Sequence, residues 1–219
     1  MTRSSFTSYL AWVPFALLAI LVGLYPLTYF LLDMKSHGLL SAKPKEVLNT
    51  PFYLLVFYIH ISCGGLALLI GWAQFSERLR VKRMKLHRSI GKVYVLAVLF
   101  SSLAGLFIAL FADGGMISVF GFGLLALCWL YTDVKGYMAI RQLNIPQHRR
   151  WMIRSYALAF AAVTLRIYLP LSTAVFHLPF LPAYRTISWL CWIPNLFIAE
   201  GLIRRAAIGP ERPATANIL

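Results

Sequence analysis

Apolar residues run in long stretches along this chain, and each stretch closes on a short polar or basic cluster. A bilayer crossing needs about 20 mainly apolar residues. Stretches of that kind at 9–32, 51–75, 91–113, 117–140, 152–177 and 186–203 predict six transmembrane helices. The expected fold is therefore all-α and polytopic, a single membrane domain over residues 1–205. Residues 206–219, polar and containing Pro and Ala, read as a disordered tail. The first stretch ends in the bulky run Tyr25-Pro26-Leu27-Thr28-Tyr29-Phe30, which lacks a small-x-small cleavage site, so it reads as a retained helix.

Composition sharpens this picture. The 219 residues are 60% hydrophobic and 13% charged, with a mean hydropathy of +0.72. Soluble domains run nearer 45–50% apolar and about 25% charged. Three cysteines at unrelated spacings supply neither a disulfide framework nor a C-x-x-C motif.

The net charge of +14 would suggest nucleic acid, were it not for where the charge lies. Most Lys and Arg fall on one side, in Arg78, Arg80, Lys82, Arg83, Lys85, Arg88 and Lys92, then in Arg141, Arg149, Arg150 and Arg154, and near both chain ends. The positive-inside rule then places both termini in the cytoplasm of an inner-membrane, multi-pass protein. Anionic lipid at the cytoplasmic face is the expected partner of this charge, and nucleic acid is not. Trp12, Trp72 and Trp151 at inner ends, with Tyr29, Tyr53, Tyr184 and Trp189 near outer ends, read as interfacial aromatic belts.

A short internal echo is present. His87-Arg88 precedes Lys92-Val-Tyr94-Val-Leu96-Ala97, and His148-Arg149 precedes Arg154-Ser-Tyr156-Ala-Leu158-Ala159. The pattern suggests two helical hairpins in the same orientation, a parallel duplication of the kind some transporters carry.

Three segments bear a family likeness. His60-Ile-Ser-Cys-Gly64-Gly65, Leu86-His87-Arg88-Ser-Ile-Gly91-Lys-Val-Tyr94 and His148-Arg-Arg-Trp-Met-Ile-Arg154-Ser-Tyr156-Ala-Leu158 resemble a bacterial family of predicted membrane proteins, domain of unknown function 2306. The resemblance covers roughly residues 50–170 and implies membrane location without an activity. A looser similarity is to the b561-type cytochromes, four-helix bundles with bis-histidine hemes. The chain has too few histidines at matching depths for two such hemes.

Ionisable groups at membrane depth are costly and mark candidate sites. At about 1.5 Å per residue, His60 lies about 13 Å and Arg166 about 16 Å from the outer helix ends, with Asn195 near the same level. Pro170 and Pro194 leave carbonyls of their helices without the usual donor. One reading is a cavity open to the outer face, with Arg166 for an anion and His60 for a ligand or proton. The other is a buried polar cluster that holds the bundle together.

An inner layer contains Asp133, Lys135, Arg154 and Glu200, with His87 and His148 at the starts of two helices. Two histidines at one level are the minimum for bis-imidazole heme ligation or part of a metal site. Lipid phosphate at the helix N-termini, or salt bridges such as Asp133 to Arg154, would use the same residues.

No phosphate loop, His-Glu-x-x-His or Gly-x-Ser-x-Gly motif is present, and whether the chain is an enzyme stays open. The leading expectation is a redox protein with heme b or a metal on His60, His87 and His148, and Arg154 and Arg166 near propionates or a quinone. A transporter or lipid-binding protein with an Arg-lined cavity is the first alternative. A noncatalytic scaffold serving another membrane protein is the second.

Overall fold

Every long apolar stretch becomes helix, because a backbone inside hydrocarbon must satisfy its own hydrogen bonds. The computed structural model describes residues 3–32, 40 and 43–208, with side chains placed within 12–206. Six helical spans are long and apolar enough to cross a membrane: Trp12–Leu31, Pro51–Phe75, Met84–Ala109, Met116–Arg141, Ile145–Val175 and Phe180–Ala206. They are numbered one to six below. The tail expected beyond 208 lies outside the described residues.

The start of the first helix at Arg3, the end of the last at Ile208 and the connections at 76–83 and 142–144 share one end of the bundle, here the basic end. The connections at 43–50, 110–115 and 176–179 form the far end.

Spans three and five begin at Met84 and Ile145, earlier than the apolar runs alone suggest. His87, Arg88, Lys92 and His148 therefore stand in helix and not in loops. A helix can continue past the hydrocarbon because long basic side chains keep their heads in water. In span five, Asn144 caps the first turn by accepting from the Gln147 N–H at 3.1 Å. The connection between spans two and three holds a short helix, Glu77–Lys82.

Span two packs most extensively on span three, and span four on spans three and five. Span one lies against span two at glycines. A Cβ on Gly65 would stand 2.7 Å from the Gly23 carbonyl oxygen, so the bare face of span two serves close helix approach.

Spans five and six are both interrupted. Span five breaks at Phe160 and ends in a π-helical turn, Leu171–Val175, just after Pro170. Span six breaks at Cys191-Trp192, ahead of Pro194. Proline removes a donor and crowds the preceding turn, which accounts for the break at Cys191-Trp192 ahead of Pro194.

Tyr29, Tyr53 and Tyr184 are 5%, 2% and 7% exposed, which corrects the reading of these three as a lipid-facing belt. Their rings pack inward in edge and stacked pairs with Phe57, Phe122 and Phe180. An aromatic residue near a span end has the same sequence signature whether it faces headgroups or the core.

Candidate functional site

A cavity of about 230 Å³ opens in the far half of the bundle. It is small for a ligand site, since these typically run to roughly 300–1,000 Å³. Its wall is mostly apolar, with Leu68, Ile108, Ala126, Trp129 and Leu158 toward the middle of the bundle. His60 and Arg166 supply polarity within it, and Lys43 and Asp113 line it at the far end.

His60 is fixed by span three. Its Nδ1 lies 2.8 Å from the Ser101 carbonyl oxygen, and the Ser101 hydroxyl donates to the His60 carbonyl at 2.9 Å. A carbonyl only accepts, so Nδ1 carries the hydrogen, and in the neutral ring Nε2 keeps its lone pair. The ring fits because Gly105 has no side chain: a Cβ there would stand 3.0 Å from Cε1.

Arg166 donates from one terminal nitrogen to the Ala162 carbonyl at 3.1 Å, one turn back on its own helix. Its guanidinium carbon stands 4.6 Å from the centre of the Tyr25 ring. Among the described residues the only ion pairs are Lys43–Asp113 and Arg154–Glu200, so no carboxylate neutralises Arg166. Lys43, by contrast, meets Asp113 at 2.9 Å and also donates to the Phe111 carbonyl.

Asn195 shares their depth but serves a different purpose. Its amide nitrogen lies 3.0 Å from the Cys191 carbonyl, 3.3 Å from that of Ala157 and 3.0 Å from the Thr164 hydroxyl. It thus serves carbonyls beside both helix breaks. Thr164 has no prior signal as its partner in the sequence, since a lone Thr in an apolar helix is unremarkable.

In the inner layer Arg154 pairs with Glu200, Nε to Oε1 at 2.5 Å, and lies 4.6 Å over the Trp151 ring. This corrects the expected bridge from Asp133 to Arg154. Glu200 lies within the reach of Arg154 from span six, while Asp133 points into the interior, fully buried, with neither carboxyl oxygen hydrogen-bonded. Lys135 lies 5.6 Å from the Tyr131 ring.

His148 donates from Nδ1 to the Gly136 carbonyl at 2.8 Å. Nδ1 of His87 is buried without a partner, and the two imidazoles are close enough for their charges to interact. Beside them Arg80 donates to the Phe75 carbonyl at 3.2 Å. Burial, and then the neighbouring Arg149, holds the Arg80 guanidinium below its ordinary pKa, with Glu77 acting in the opposite sense. The echo's two tyrosines meet, ring centres 6.4 Å apart. Tyr94 hydrogen-bonds Ser155 at 2.9 Å, and Tyr156 donates to the Leu68 carbonyl at 2.9 Å.

The three histidines do not gather into one set. Among the described residues His60 is the histidine that lines the cavity, while His87 and His148 stand near each other at the basic end. Among the described residues no three His, Cys, Asp or Glu side chains gather to hold an ion.

Residues 57–203 match the family model described as predicted membrane protein, domain of unknown function 2306. The match spans well over half the chain, and the protein belongs to that family. No curated protein and no solved structure matches it, so the likeness to b561-type cytochromes has no support from comparison.

Proposed function

We propose that this membrane protein binds a small amphipathic anion inside its helix bundle and acts as a transport or lipid-handling protein. A guanidinium with no carboxylate partner among the described residues, in a mostly apolar cavity, carries the reading. Placing a cation at membrane depth is costly unless something anionic or hydrated answers it. Among the described residues Arg166 meets a carbonyl and a ring, so its remaining N–H groups stand ready for a carboxylate, phosphate or sulfonate head. His60 adds a neutral imidazole whose Nε2 accepts from a protonated or hydroxylated group. Leu68, Ile108, Ala126 and Leu158 offer apolar surface to the ligand's body.

The basic end supports an orientation as well. With Arg80, Arg149, His87 and His148 crowded there, that end faces the cytoplasm and anionic lipid phosphate, in a bacterial inner membrane.

The test uses decanesulfonate, a charged head on a single chain, against protein in neutral phosphatidylcholine nanodiscs. Decanesulfonate raises the unfolding temperature of the wild type, and decanol does so much less. Arg166→Gln loses about tenfold in affinity, as expected for a charge-assisted hydrogen bond worth roughly 1.5–3 kcal/mol. Equal stabilisation by decanol, or an unchanged affinity in Arg166→Gln, refutes the reading.

A further inference from the structure

One helical turn below the cavity floor lies a polar shell that the anion site leaves unused. Leu68, Trp129 and Leu158 line the cavity. Trp72 and Asp133 lie four residues after Leu68 and Trp129, and Ser155 three before Leu158, each toward the basic end, so they form the next layer down. This layer is closed to solvent: Asp133 and Ser155 are 0% exposed.

Its polar atoms are poorly matched within the protein. Neither oxygen of Asp133 has a hydrogen-bond partner, and the indole N–H groups of Trp72 and Trp129 have none. Toward the basic end, the Gln74 amide and Nδ1 of His87 are in the same condition. Native proteins leave few such atoms, and each calls for a reason.

The groups around Asp133 are neutral. From span three Tyr94 is near enough to feel its charge, with its hydroxyl held by Ser155 of span five. Tyr156, also of span five, is committed to the Leu68 carbonyl. Of the titratable groups in the inner layer, Glu200 and Arg154 are spent on each other, and His148 stands one turn toward the basic end with its Nδ1 on the Gly136 carbonyl. An ionised carboxylate in that setting has no counter-charge, whereas a neutral carboxylic acid needs none.

We propose that Asp133 carries an exchangeable proton and that this proton governs anion binding in the cavity one turn above. The inference rests on the anion-binding reading. With the proton on, Asp133 is neutral and the field of Arg166 acts undiminished on the bound anion. With the proton released toward the basic end, past His87 and Gln74, a negative charge stands beneath the cavity floor and repels the anion. Coupling of this kind is reciprocal, so anion and proton are taken up together and given up together. One carboxylic O–H bond breaks and re-forms per cycle, and no oxidant or reductant takes part.

Decanesulfonate stays charged across the accessible pH range, so its binding isolates the protein's own proton. Titrated calorimetrically against full-length protein in nanodiscs, wild-type affinity falls about tenfold from acid to alkaline pH, within the usual span of coupling between sites. Asp133→Asn, nearly isosteric and permanently neutral, keeps the strong affinity at every pH. A wild-type pH profile in Asp133→Asn, or a flat profile in the wild type, overturns the coupling and leaves the anion site standing. No decanesulfonate binding at any pH overturns both. Should Asp133→Asn not fold, infrared spectroscopy of the wild type decides. A protonated-carboxyl band that disappears at alkaline pH and returns on adding decanesulfonate supports the coupling, and the lack of such a band refutes it.

Discussion

Ser101 grips His60 from two sides, accepting from its ring Nδ1–H at the backbone and donating to its carbonyl through the hydroxyl. The pair ties span two to span three at the level of the cavity and sets which ring nitrogen is free. Ser101→Ala removes the side-chain bond from a fully buried site and costs about 1 kcal/mol in unfolding free energy. The backbone bond survives that change, so nitrogen-15 spectra of the imidazole still report hydrogen on Nδ1. Hydrogen on Nε2 in either protein contradicts the assignment.

Glycines in this bundle separate into two kinds, and alanine scanning distinguishes them. A Cβ on Gly71 would overlap the Tyr156 ring and come within 2.8 Å of Tyr94, where the two echo tyrosines converge. Gly71→Ala costs about 1–3 kcal/mol through overpacking. At Gly123 and Gly201 a Cβ meets nothing within 4 Å, so alanine there is neutral or stabilises by up to about 1 kcal/mol. Thermal unfolding of the three variants gives the ranking, and a Gly71→Ala protein as stable as Gly123→Ala contradicts it.

Replacing Asn195 with Leu strips hydrogen bonds from Cys191, Ala157 and Thr164 together. Each buried polar group left unmatched costs about 1–3 kcal/mol. Asn195→Leu is accordingly expected to lower stability more than Thr164→Val, which loses the bonds to Asn195 and to the Phe160 carbonyl of its own helix. The reverse order in denaturant unfolding would place the stabilisation elsewhere.

Arg154 and Glu200 look like a strong pair but are 21% and 37% exposed. Water and salt screen charges in that position, and a double-mutant cycle with Arg154→Gln and Glu200→Gln should return a coupling below about 1 kcal/mol. That coupling should shrink further in added salt. A salt-insensitive coupling of several kcal/mol would mark the pair as far better shielded than its exposure indicates.

The six spans were legible in the sequence because bilayer crossing imposes one dominant constraint, a long apolar run. The depths of His60 and Arg166 were legible too, since helical rise converts residue number directly into height. What could not be read is azimuth. Asn195 lies at the same height as Arg166, yet it faces the helix breaks and not the cavity. The same blindness misassigned Asp133, which stands near Arg154 in level but turns away from it. Ser101 carries no sequence signal as a partner of His60, because its hold on the ring depends on which faces of spans two and three meet. Lys43 and Asp113 had no signal at all, because nothing local links connections at opposite ends of two intervening spans. The heme expectation came from counting histidines by level, a test that is blind to His60 standing in the cavity, apart from His87 and His148 at the basic end.

The Asn195 amide joins interruptions in two neighbouring helices, at Phe160 and at Cys191. Because one side chain bolts both, bending at Phe160 drags on Cys191 and bending at Cys191 drags on Phe160. The last two spans therefore flex as one jointed unit, and Arg166, carried on the outer limb of that joint, moves with it whenever the bundle breathes.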